Sequence, residues 1–208
     1  SISIDSVFVS GEKETIITGN AIAKEQRSGD VVVTCIMHDV TERKRNEEII
    51  HQKNEDILDS IVYAQRIQKA ILPTDLQIKL CLPDSFVMYE PKEIVSGDFY
   101  FTDNVPYGGG QLSVVGVGDC TGHVVPGAFM SLFAHNFLKR SIREASVSSP
   151  AEALNFVRSS LLKSFREGNL DEMIYDGMDI ALLTIDYQNL LMEFSGAYRP
   201  VIIVRGEN

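Results

Sequence analysis

Val95-Ser-Gly-Asp-Phe-Tyr100 and, further along, Gly118-Asp-Cys-Thr-Gly-His-Val-Val-Pro-Gly127 decide how this chain reads. In each, an apolar strand-like run meets a glycine and an aspartate. A carboxylate at a strand end, beside backbone with no side chain in the way, suits a hard cation and a phosphate. Mg²⁺ and Mn²⁺ prefer oxygen ligands and keep several waters, so one or two carboxylates per ion suffice. Two such ions about 4 Å apart can activate a water and clamp a phosphoryl group for in-line displacement. Asp98 and Asp119 are the first candidates for such ligands.

The bulk numbers narrow the remaining classes. The chain has 208 residues, 44% hydrophobic and 23% charged, enough for one large domain or a medium one with appendages. A net charge of −10 argues against a nucleic-acid surface, which needs a basic face. The dense basic clusters, 42–45 and 139–143, read as a solvated helix face and as complementation of a helix C-terminus. Cys35, Cys81 and Cys120 are far apart and form no C-x-x-C pair, which speaks against disulfides or zinc and suits a reducing, cytoplasmic setting. No apolar run approaches the roughly 18 residues of a membrane span. The first residues alternate like the middle of a sheet and lack the basic start of a signal peptide, so the chain is expected to begin inside a domain.

Residues 1–40 read as three antiparallel strands, the third being the apolar run from Asp30 to His38. Asp39 or Thr41 can cap the helix that follows. Residues 41–72 form that helix, free of Gly and Pro until Pro73. Ile50, Ile57, Ala64 and Ile71 recur every seventh residue, a coiled-coil seam with Ile67 at a d position, weakened by Lys53 and Ser60. A single helix lying on its own domain is the simpler alternative; a parallel homodimeric connector is preferred because it would join a sensor-like piece to a catalytic-looking one. Residues 73–208 read as α+β. Strands are expected at Ser85–Glu90, Asp98–Thr102, Gln111–Gly118, Asp179–Asp186, Leu190–Phe194 and Val201–Arg205. Gly108-Gly-Gly110 marks a hairpin. One helix starts around Pro126 with Phe129, Leu132, Phe133 and Phe137 as its apolar stripe. A second starts at Ser149 with a capping box to Glu152, carries Leu154, Val157, Leu161 and Phe165, and stops at Gly168.

Two resemblances extend this reading. "HDVTERKRNEE" at 38–48 resembles the ending of a PAS sensor domain, of which residues 1–40 would be the C-terminal strands. "YAQRIQKAILP" at 63–73, "PKEIVSGDFY" at 91–100, "GDCTGHVVPGAFMSL" at 118–132, "DGMDIALLTID" at 176–186 and "FSGAYRPVIIVRG" at 194–206 together resemble the SpoIIE-type branch of the metal-dependent PPM serine/threonine phosphatases. That resemblance implies a β-sandwich flanked by helices, with a two-metal Mn²⁺ or Mg²⁺ site at one end. It implies Asp98 and Asp119 as metal ligands, Asp119 bridging both ions, and the backbone carbonyl of Cys120 beside them. It gives Gly97, Gly122 and His123 turn or supporting roles. Val124 departs from the pattern, where the family usually has glycine, and a β-branched residue suits positive φ poorly. Asp176 and Asp179 read as turn and strand-start residues, and Asp103 as a loop carboxylate. The family's later Thr-Asp-Gly and Asp-Asp motifs do not occur in the 208 residues, so the chain is expected to be a fragment holding about half the ligands.

The function the resemblance implies is hydrolysis of phosphoserine or phosphothreonine on a protein, in the family usually an anti-anti-sigma-type regulator, controlled by the PAS piece through the helix. The helix at 58–72 resembles the family's switch element. A non-catalytic signalling scaffold and a sensor histidine kinase fragment with His51 as phosphoacceptor are the alternatives.

Overall fold

The computed structural model describes residues 2–10, 13–25, 29–122, 124–143, 149–166 and 177–206. It divides into two compact units, Ser1–Ser60 and Ile61–Asn208.

The first unit is a β-meander followed by helix. Strands β1 (Ile2–Ser10), β2 (Lys13–Glu25) and β3 (Val31–Asp39) pair antiparallel in the order β1-β2-β3. Helix α1 (Thr41–Ile71) starts where expected. Asp39 Oδ1 accepts from the Thr41 N–H at 3.0 Å and the Thr41 hydroxyl at 2.6 Å. Thr41 Oγ1 in turn accepts from the Ile16 N–H at 2.7 Å, so the helix start is pinned to β2. Pairs such as Arg43–Glu47, four residues apart at 2.8 Å, add a few tenths of a kcal/mol each.

The second unit is a four-stranded antiparallel sheet of β4 (Asp98–Tyr107), β5 (Gly110–Cys120), β6 (Met178–Asp186) and β7 (Leu191–Ala197), in that order. Gly108 and Gly109, at φ 55° and 88°, make the two-residue β4–β5 turn, whose positive φ values match the twist of the strands. Helices α3 (Val125–Arg143) and α4 (Pro150–Arg166) cover one face. Phe99, Phe101, Val114, Ile180 and Leu182 point into that layer and meet Met130, Ala134 and Leu138 of α3 and Ala153, Val157 and Leu161 of α4. Each large apolar side chain buried here contributes about 1.5–3 kcal/mol. The α+β class is as expected; of the expected β-sandwich, the described residues of the second unit supply one sheet layer with its helices. No helix among them is long and apolar enough to cross a membrane.

Several expectations are corrected. Residues 85–90 and 201–205 are not strands. Their backbones find no partner strand among the described residues, and Phe86 and Val204 are each 88% exposed; alternation alone cannot make a strand without a neighbour to bond. A short helix, α2 (Asp75–Cys81), was unforeseen. It begins with a capping box between Thr74 and Gln77, a signal legible in the sequence. The stripe assigned to α3 is partly the wrong face: Phe129 is 56% exposed, while Ala128, Met130, Ser131, Ala134 and Leu138 are buried. Asp103 is no loop residue; it lies in β4 and holds Arg143 with two bonds of 2.6 and 2.5 Å.

Candidate functional site

The sheet register assembles the site. Asp98, first residue of β4, lies opposite Asp119 near the end of β5, and Asp119 lies opposite Asp179 near the start of β6. Directly opposed residues have Cβ atoms about 4.5–5.5 Å apart, so Asp98, Asp119 and Asp179 stand in a row across one end of the strands. The two expected ligands are brought together. Asp179, read as a strand-start residue, proves to be their neighbour in register.

Close backbone packing presents Asp98. The Cys120 N–H donates to the Gly97 carbonyl at 3.2 Å, and a Cβ on Gly97 would lie 2.5 Å from the Cys120 carbonyl oxygen. Only glycine admits that approach, which holds the Cys120 carbonyl at the same strand end as the two carboxylates. Gly122, at φ 106°, packs against Gly127 so tightly that a Cβ would sit 2.9 Å from the Gly127 nitrogen. Val124 keeps φ at 53°. The turn therefore retains the conformation that glycine would favour, and the valine carries the strain. Its carbonyl accepts the first bond of α3, from the Ala128 N–H at 3.1 Å. His123 and Asp176 lie outside the described residues.

Ser96 and Gln68 form the support behind Asp98. Ser96 Oγ accepts from the Asp98 N–H at 3.0 Å and lies 3.4 Å from Asp98 Oδ2. Gln68, on α1, is only 3% exposed. Its amide donates to the Ser96 carbonyl at 2.5 Å and to Ser131 Oγ at 2.9 Å, and its oxygen accepts from the Ser96 N–H at 3.1 Å. Nothing in the sequence marks Gln68, because a polar residue one position past Ile67 looks like the solvated flank of a seam.

The electrostatics suit a cation. Partial burial, and then the charge of Asp119, push the Asp98 carboxyl above its ordinary range, with Ser96 and Arg199 opposing. Burial, with Asp119 and Asp98 adding, pushes the Cys120 thiol up to about 12, so it is not a thiolate. Arg199 pairs with Asp119 Oδ2 and its Nε lies 3.8 Å from Asp179. In the sequence Arg199 is one arginine after a strand and carries no signal; only the folded sheet brings it back to the carboxylates. The carboxylates open onto a cleft of about 490 Å³ walled by Val87, Met88, Tyr89, Glu90, Tyr100 and Val117.

Hard oxygen donors at Asp98 and Asp119, with the Asp98 carboxyl pushed up by burial and then by its neighbour's charge, fit Mg²⁺ or Mn²⁺. No three metal-binding side chains converge among the described residues, so what they hold is a pair, short of a complete cage.

No family model and no curated protein matches the chain. Among solved structures, the SiaA-PP2C domain of Pseudomonas aeruginosa is similar, with 32% identity and a TM-score of 0.58 over 70% of this chain. The fold is that of a PPM-type phosphatase. The chain spans 55% of that neighbour's length. On a PPM fold, the Asp98–Asp119 edge is the candidate active site, and its carboxylates are the residues that would hold the ions such phosphatases use.

Proposed function

We propose that the chain is part of a SpoIIE-type protein serine/threonine phosphatase. The cross-strand pair Asp98–Asp119 at the sheet edge of a PPM-type fold is the observation that carries this reading. Bound Mn²⁺ or Mg²⁺ would supply Lewis-acid polarisation of water and of the phosphoryl oxygens. Asp98 and Asp119 would hold the ions, Gly97 and Gly122 keep the backbone close behind them, and the Cys120 carbonyl is available beside Asp119. A covalent phosphoenzyme on Cys120 is disfavoured by its buried, protonated thiol. The substrate class is a phosphoserine or phosphothreonine protein, an anti-anti-sigma-type regulator being the family's usual partner.

Regulation belongs to the same proposal. Residues 1–40 would be the end of a PAS-type sensor, and α1 a dimeric connector. Gln68 supports coupling, because it ties α1 to the backbone two residues before Asp98. The test of the enzymatic reading is Mn²⁺-dependent release of phosphate from a phosphoserine peptide. Asp119→Asn should lower the rate by at least about 100-fold, equal to about 2.7 kcal/mol of transition-state stabilisation. Equal rates for the two proteins would refute it.

A second reading, a non-catalytic scaffold, is favoured by the strained Val124 and by the absence of a third converging ligand among the described residues. It predicts no hydrolysis by the wild-type protein, with phosphoprotein binding that ignores Mn²⁺.

A further inference from the structure

We propose that Arg199 is the residue that recognises the phosphoryl group, resting on Asp119 until an anion enters the cleft. The inference rests on the phosphatase reading and names the group that would read its substrate.

The backbone at Arg199 is placed, not trailing. Tyr198 forms a parallel bridge with Ile180 of β6 and takes φ 58°. A Cβ on Gly196 would collide with the Arg199 carbonyl, so the chain turns tightly just after β7. That turn brings the guanidinium back over the sheet edge, onto Asp119 and towards Asp179.

Charge then sets the role. The cleft is lined by Asp98, Asp119 and Glu90, and Arg199 is the one cationic side chain among its described lining residues. A phosphate monoester is a dianion at neutral pH and would meet like charge on these carboxylates. Among the described lining residues, the cation available to it is Arg199. A guanidinium presents a planar fork of N–H donors that matches phosphate oxygens two at a time. The Arg199 side chain is 47% exposed, so it can turn from Asp119 into the cleft without uncovering a buried partner. An exposed ion pair of this kind is weak on its own, which makes the exchange of a carboxylate for a phosphate feasible.

The probe is inorganic phosphate, titrated calorimetrically into the Mn²⁺-supplemented protein, with wild type, Arg199→Gln and Arg199→Lys compared. Arg199→Gln should weaken phosphate binding by about tenfold or more, the loss of charge-assisted hydrogen bonds. Arg199→Lys should recover part of it, while Mn²⁺ affinity does not fall and melting temperature stays unchanged. On a phosphoserine peptide the loss should appear in KM more than in kcat. Unchanged phosphate affinity in Arg199→Gln overturns the inference, as does a wild type that binds no phosphate. A parallel fall in Mn²⁺ affinity and melting temperature also overturns it, since Arg199 would then only brace Asp119. Arg199-dependent phosphate binding without any wild-type hydrolysis would sink the enzymatic reading and leave this inference standing.

Discussion

Val124 shows how one side chain can be read from the sequence and still need the structure to be understood. The sequence marks it as a β-branched residue where glycine is usual. The structure shows that the turn does not relax around it, because φ remains 53°. Strain of this kind costs of order 1–3 kcal/mol, and glycine's greater unfolded-state entropy offsets roughly 0.5–1 kcal/mol of any relief. Val124→Gly should therefore stabilise the protein by about 1 kcal/mol in urea denaturation; a destabilised variant would mean that the valine packs well enough to repay its backbone. His135 gives a prediction in pH. Its ring packs edge-on against Phe101 at 5.2 Å. Burial, then Lys139, lowers its pKa, with Asp103 opposing. The unfolded imidazole titrates near 6.5, so below that pH the unfolded state binds more protons than the native one. Its contribution is present above about 6.5 and is lost as pH falls towards the depressed native value. Urea midpoints should drop between pH 7 and pH 5, and His135→Gln should flatten that drop.

At the scale of elements, α3 carries the lesson of spacing against size. Phe129, Leu132, Phe133 and Phe137 have the right helical period, yet of these only Phe137 joins the buried face, which is otherwise built from Ala128, Ser131, Ala134 and Ser141 with Met130 and Leu138. Small residues let the helix approach the strands closely. The displaced Phe133 instead stacks on Phe137 and meets Phe165 of α4, each at 6.2 Å. Ala134, fully buried, should tolerate no growth: Ala134→Leu is expected to cost about 1–3 kcal/mol by overpacking. Phe129→Ala should stay within about 0.5 kcal/mol. The reverse ranking in thermal melts would restore the sequence-derived stripe. By contrast α4 is read correctly throughout its described length, from the Ser149 cap, which accepts from the Glu152 N–H at 3.3 Å, to the buried Val157 and Leu161. Its stripe is apolar on one face only, so periodicity has a single solution.

Across the whole molecule, α1 is the element that both units share in sequence. Ile50 and Ile57 are 59% and 57% exposed, while Gln68 is locked beside Asp98. If the seam is a dimer interface coupled to the site, Ile50→Asp with Ile57→Asp should convert dimer to monomer in sedimentation. Gln68→Ala should lower Mn²⁺ affinity without changing the oligomeric state. A monomeric wild type would remove the dimeric connector, and an unchanged Mn²⁺ affinity would remove the coupling.

The sequence by itself determined the α+β class, the three-stranded start, the uninterrupted helix α1 with its Asp39–Thr41 cap, the hairpin at Gly108-Gly109 and the position of Asp98 and Asp119 beside glycines near strand ends. Each rests on information local in the chain: period, capping chemistry, turn glycines and a carboxylate beside a glycine. Tertiary structure alone decided that Asp179 stands beside Asp119, that Arg199 folds back onto both, that Gln68 is buried on Ser96, and that residues 85–90 and 201–205 lie outside the sheet. Those outcomes depend on cross-strand register and on which backbone finds a hydrogen-bonding neighbour. Both are fixed by contacts between residues distant in sequence, which no local pattern encodes.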